Sequence, residues 1–313
     1  MKIVDLHCDT LFECYAQKQP LRRNSLHIDL ERLRSAGALA QFFAVWLPQE
    51  GRFGLSAYEL FQQIYELYRQ EMEKNKDLIA PALSYRDIVA AEQEGRLSSV
   101  LCLEDGSMLE GDISRLDGLY SQGVRQITLT WNGENSLGYP NSPDPALHAR
   151  GLKPFGIEVV ERMEELGMLV DVSHLSEGGF WDVCERAKKP FLASHSCARA
   201  LCDHPRDLTD RQLRALAERG GIVGVNFYSE FLEQGSRCAR IEDILRHVEH
   251  IRSVAGEETV ALGSDFDGID CELEMKDYSG YPRLIQAAAD RWGYDFADRL
   301  SHKNALRLLK DCL

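Results

Sequence analysis

Residues 3–11 read IVDLHCDTL. The apolar start reads as a buried strand, and the run closes on His7 and Asp9. Side chains two apart on a strand point to the same face. An imidazole and a carboxylate are therefore aimed at one spot. Comparable apolar runs follow at 39–47, 99–104, 124–131, 168–174, 190–195, 221–227 and 259–265. Most are continuous rather than alternating, as strands of a parallel sheet covered by helices read.

Amphipathic segments lie between most of these runs. Residues 56–75 carry Tyr58, Phe61, Ile64, Tyr65 and Tyr68 at helical spacing. Residues 156–167 and 209–220 also read as helices, each closing on a glycine. Thr209 followed by Gln212 fits a capping box. Eight strands alternating with helices predict an α/β fold, a (β/α)8 barrel, with an open doubly wound sheet as the alternative. The expected organisation is one barrel domain over 1–313. A long Asn-, Gly- and Pro-rich loop near 132–156 is a candidate lid.

The barrel reading can be tested against the polar residues, because chemistry in such barrels sits at the C-terminal strand ends. His7 and Asp9 close the first run, Glu104 the third, His174 the fifth, His195 the sixth and Asp265 the eighth. Each has an ordinary reading by itself. Asp9 before Thr10 can cap a helix, the DFDG stretch can be a turn, and a lone histidine is usually structural. Gathered on one rim, buried carboxylates and imidazoles need a cation. Mixed histidine and carboxylate donors suit zinc, with manganese, iron or cobalt as alternatives. Six groups exceed one catalytic zinc and fit two divalent ions about 3.5–4 Å apart, bridged by a carboxylate.

Composition narrows the partners. A net charge of −14 over 313 residues repels phosphate backbones, so no nucleic acid is expected. No apolar run is long enough to span a membrane. Strand-like sequence from Ile3 leaves no room for a leader, which makes the cytoplasm the expected compartment. Nine cysteines with no CxxC pair argue against a disulfide framework or a zinc knuckle.

Taken in order, DLHCDTL, LEDG, DVSHLS, ASHSCARAL, GGIVGVNFY and GSDFDG resemble the membrane (renal) dipeptidase family, metallopeptidase family M19. The resemblance runs from His7 to about Asn304. It implies an amidohydrolase-type barrel holding two zinc ions and cleaving dipeptides by a metal-bridged hydroxide. His7 and Asp9 resemble the pair holding one metal, Glu104 the bridging carboxylate, and His174 and His195 the ligands of the other. Asp265 resembles the aspartate that handles the proton. Arg206 resembles the arginine that grips the substrate's C-terminal carboxylate, and Tyr228 a residue near the substrate pocket. The family also implies tolerance of a D-residue at the C-terminal position, and a homodimer.

Two departures stand out. Mammalian members end strand four with a histidine that stabilises the oxyanion, and this chain has Trp131 there, with one indole N–H and no basic nitrogen. His148 in the long loop is a substitute candidate. Near the C-terminus the family's Gly-Gly-Asn run lacks its glycines before Asn304. Rival readings are a barrel acting on another amide, lactone or ester, and a non-catalytic barrel that only binds.

Overall fold

The computed structural model describes residues 2–48 and 53–313. Eight parallel strands form its centre: β1 Ile3–Asp5, β2 Ala38–Trp46, β3 Leu97–Glu104, β4 Val124–Thr128, β5 Leu169–Asp171, β6 Leu192–Ser196, β7 Ile222–Val225 and β8 Val260–Leu262. Each pairs with its successor in parallel. The ring closes where Asp5 of β1 sits opposite Leu262 of β8. The sheet is thus a closed (β/α)8 barrel rather than an open doubly wound one.

The helices between strands form where the sequence pattern places them, with small shifts. Ala57–Lys74 starts at a Ser56–Glu59 capping box and buries Leu60, Phe61, Ile64, Tyr68 and Met72. Tyr58 is exposed instead of buried, lying against the Arg115 guanidinium, because Leu60 rather than Tyr58 completes the inward stripe. Asp210–Glu218 starts at the expected Thr209–Gln212 box. Pro154–Leu166 starts two residues ahead of the expected 156 and ends on Gly167 in the left-handed region, which a glycine enters without steric cost. Strands β4 and β5 stop at Thr128 and Asp171, short of the expected 131 and 174, because the chain turns outward there to present side chains.

Three short strands escape the sequence pattern. Ile79–Pro81 pairs alongside the start of β3, and Cys238–Ala239 pairs with Glu272–Leu273. All three are too short to show a period.

The core divides by end. Val4, Phe42, Val100, Leu169, Leu192, Ile222 and Ala261 come from around the ring and pack with Leu308, Leu309 and Cys312 of the helix Asn304–Cys312. Several of these open their strands, so the apolar plug fills the N-terminal end. The C-terminal ends are left for polar side chains, and Asp5, Glu104, Asp171, Ser194 and His195 are all buried there.

The stretch 132–153 is tied down rather than free. Asn135 Nδ2 donates to Asp105 Oδ1 at 2.7 Å and to the Leu129 carbonyl at 2.8 Å. The Asn141 amide donates to the His174 carbonyl at 2.7 Å. Gly156 allows the following helix to approach, since a Cβ there would lie 2.0 Å from the Leu137 carbonyl oxygen.

Candidate active site

Strand β1 delivers His7 and Asp9 through a turn fixed from below. Asp5 is fully buried and accepts from the Ser264 amide at 2.9 Å and its hydroxyl at 2.6 Å. This ties β1 to the end of β8, which carries Asp265. Glu104 is the last residue of β3, and His174 and His195 follow from β5 and β6.

These side chains converge around Glu104. Its Oε2 lies 3.4 Å from His7 Nε2, and its Oε1 lies 3.1 Å from His174 Nε2 and 3.4 Å from His195 Nε2. His7 Nε2 is also 3.3 Å from Asp9 Oδ2 and 3.8 Å from Asp265 Oδ1. The two oxygens of one carboxylate thus face different histidines, Oε2 to His7 and Oε1 to His174 and His195, while the His7 and His195 rings stack with centres 3.7 Å apart.

The donor set fits cations on three counts. Neither ring nitrogen of His7 nor Asp9 Oδ1 makes a hydrogen bond, although all three are buried; such groups are costly unless something else coordinates them. His174 Nε2 and His195 Nε2 face each other at 3.1 Å, beside a carboxylate oxygen. Burial alone would lower the His7 pKa, yet Glu104 and Asp9 hold it well above the usual histidine range. Burial pushes the Asp9 carboxyl well above its usual range, and Glu104 adds to the rise. The cluster is short of positive charge.

Backbone strain marks the same place. His174 and Asp265 both have φ of 64°, a conformation that costs a non-glycine residue about 1–2 kcal/mol. The DFDG stretch is thus a turn as well as part of the site: the Gly268 amide donates to the Asp265 carbonyl at 3.1 Å.

Residues that the sequence pattern did not single out hold these side chains. Asn226 Nδ2 donates to Asp265 Oδ2 at 2.8 Å. Asn132 Oδ1 lies 3.1 Å from His174 Nδ1, and Ser194 Oγ lies 2.7 Å from His195 Nδ1. The signal was present, since each stands inside or beside a quoted motif, but short polar residues carry no period.

A cavity of about 400 Å³ opens onto the cluster, lined among others by Phe12, Trp46, Trp131, Tyr228 and Asp265. Trp131 packs edge-on to Trp46, with ring centres 5.0 Å apart, and forms wall. Tyr228 packs edge-on to Phe231 at 4.9 Å. Arg206 is buried behind this surface: its Nη2 donates to the His195 carbonyl at 2.6 Å, while Nε and Nη1 make no hydrogen bond. His148 faces elsewhere, its Nε2 3.2 Å from Arg199 Nη2 and its Nδ1 accepting from the Ser142 amide.

A (β/α)8 barrel with such a rim is the frame of a metal-dependent hydrolase. The family model for membrane dipeptidase (peptidase family M19) matches residues 1–312, and the chain belongs to that family. It is a dipeptidase of the metallopeptidase class. Among curated relatives, a Klebsiella pneumoniae protein described as uncharacterized is 38% identical over 263 residues, spanning 80% of this chain and 95% of its own length. An uncharacterized dipeptidase of Schizosaccharomyces pombe is 35% identical over 279 residues, spanning 85% of this chain and 67% of its own. A Rhodobacter sphaeroides metallopeptidase, solved with a phosphinate mimic of L-Ala-D-Ala, superposes with a TM-score of 0.90 at 25% identity, covering 100% of this chain and 99% of its own. Among the described residues, no helix is long and apolar enough to cross a membrane.

Proposed function

We propose that the chain hydrolyses dipeptides with two divalent ions, zinc being the ion the donors suit, and accepts a D-residue at the C-terminal position. The arrangement of Glu104 carries the two-ion reading: its Oε2 faces His7, and its Oε1 faces His174 and His195. His7, Asp9 and Glu104 would hold one ion, and Glu104, His174 and His195 the other. When bound, such ions acidify water and polarise a carbonyl.

The chain's own groups do the rest. Asp265, fixed by Asn226, takes the proton released as water adds to the scissile carbonyl and returns it to the departing amine. Arg206 has two donors free, at Nε and Nη1, for the substrate's terminal carboxylate. Phe12, Trp46 and Trp131 wall the cavity and keep bulk water from the reacting bond. Tyr228 lines the same cavity and bounds the substrate. The mimic bound by the Rhodobacter sphaeroides relative supports a D-residue on the C-terminal side. The homodimer implied by the family resemblance belongs to the same reading, and sedimentation velocity tests it.

The deciding experiment measures metal per chain and hydrolysis of matched Xaa-L-Ala and Xaa-D-Ala dipeptides on one zinc-reconstituted sample. Two ions and turnover of the D-substrate are expected. One ion removes the dinuclear centre, and turnover of the L-substrate alone removes the stereochemical claim.

A further inference from the structure

Below the rim, a buried carboxylate is wired to one of the rim histidines. Asp171, the last residue of β5, is fully buried. It accepts from the Ser173 amide at 2.9 Å, the Ser194 amide at 2.9 Å, Gln126 Nε2 at 3.1 Å and Thr128 Oγ at 2.7 Å. Its remaining close partner is Ser194 Oγ, 2.5 Å from Oδ2. Among the described residues it makes no ion pair.

The proton positions follow by elimination. With two amide N–H groups on Oδ1 and Gln126 Nε2 and Thr128 Oγ1 on Oδ2, Asp171 is read as an acceptor throughout, so the single hydroxyl proton of Ser194 points to it rather than to Ser173 Oγ, which lies further off at 3.4 Å. Ser194 Oγ then has only lone pairs left for His195 Nδ1, 2.7 Å away. His195 must carry its proton on Nδ1, which leaves the Nε2 lone pair facing Glu104 Oε1 and His174 Nε2. The backbone that carries Ser194 is closely packed, because β6, β7 and β8 are pressed together here: a Cβ on Gly224 or Gly263 would lie 2.0 or 1.8 Å from the Ser194 carbonyl oxygen. His7, by contrast, has no hydrogen bond at Nδ1.

We propose that Ser194 is a positioning residue for the metal centre, selecting the His195 tautomer through its hydrogen bond to Asp171. The inference rests on the two-ion reading above. Partners of this kind fix ligand orientation and typically change metal affinity about 10–100-fold.

The test measures the affinity of each zinc ion in the full chain by competition with a chromophoric chelator. Ser194→Ala is expected to weaken one ion about 10–100-fold and leave the other within about twofold. Ser194→Thr, which keeps a hydroxyl, is expected to recover most of the loss. Thr128→Val removes another bond to Asp171 Oδ2 without touching His195, and is expected to leave both affinities within about twofold. Unchanged affinities in Ser194→Ala, or an equal loss in Thr128→Val, overturn the proposal. A ¹⁵N-histidine spectrum of the unsubstituted zinc protein tests it without any variant: His195 must show Nδ1–H, and Nε2–H overturns it. A parent chain holding one ion sinks the two-ion reading alone. Ser194 is then judged by whether Ser194→Ala weakens that ion.

Discussion

Asn226 holds the Asp265 carboxylate through a 2.8 Å hydrogen bond from its amide nitrogen, on the oxygen turned away from His7. Asp265 Oδ1 is left facing the rim. Asp265→Asn is expected to keep its ions and lose about 10²–10⁴-fold in kcat, the usual worth of a positioned acid–base group. Asn226→Ala is expected to lose about tenfold in kcat with little change in KM, the size of one hydrogen bond. Steady-state kinetics beside metal analysis checks both. Parental turnover in Asp265→Asn would falsify its role.

Arg206 lies buried behind the cavity wall with two unbonded nitrogen donors, Nε and Nη1. Removing a charged hydrogen-bond partner costs about 1.5–3 kcal/mol. Arg206→Ala is therefore expected to raise KM for a dipeptide about 10–150-fold. The preference for a free C-terminal carboxylate over the C-terminal amide should collapse in the same variant. A preference that survives intact would assign carboxylate recognition elsewhere.

Glu104 turns one oxygen to His7 and the other to His174. Glu104→Gln keeps the shape and removes the charge. On the two-ion reading, zinc content after dialysis should fall to one ion per chain or none. Full retention of both would mean that Glu104 does not bridge.

Acid should destabilise the fold through His247, away from the rim. Its Nδ1 accepts from the Ala198 amide at 3.0 Å and its Nε2 donates to the Leu232 carbonyl at 2.9 Å. The first bond needs the neutral ring, because a protonated Nδ1 cannot accept, while the second survives protonation. Burial holds its pKa down at about 4, against an ordinary value of 6.5. The resulting stability is whole above the ordinary value. It is lost as pH falls through that value towards the folded one, on the order of 3 kcal/mol in all. Urea unfolding of the parent and of His247→Gln across this window checks it, and identical pH slopes would remove His247 as the cause.

The rim is legible in sequence because five of the eight apolar runs end in a chemical change. An apolar run halts at His7, Glu104, His174, His195 or Asp265, and the contrast survives without knowledge of pairing. Asp171, Ser194 and Asn226 lie within or close to their runs, where polar side chains break no pattern, so their roles appear only when neighbouring strands are placed. Arg206 was legible as a residue but not as a buried one, because its cover comes from other segments. Tyr58 stands at helical spacing yet outside the buried stripe, because a stripe read from sequence leaves its edges open by a residue or two.

Closure of β1 on β8 has a consequence for biosynthesis. Asp5 must wait for Leu262 before its strand has a second neighbour, and the plug at the opposite end waits for Leu308 and Leu309. During translation the N-terminal strand, already carrying His7 and Asp9, leaves the ribosome with one edge bare. Pairings of such long sequence separation form slowly, and bare edges invite wrong partners. A nascent chain halted before β8 would have His7 and Asp9 but not the Ser264 anchor beneath them. Arrested or clipped products should therefore be poor at capturing metal and prone to aggregation, which makes metal retention a convenient quality check on any preparation.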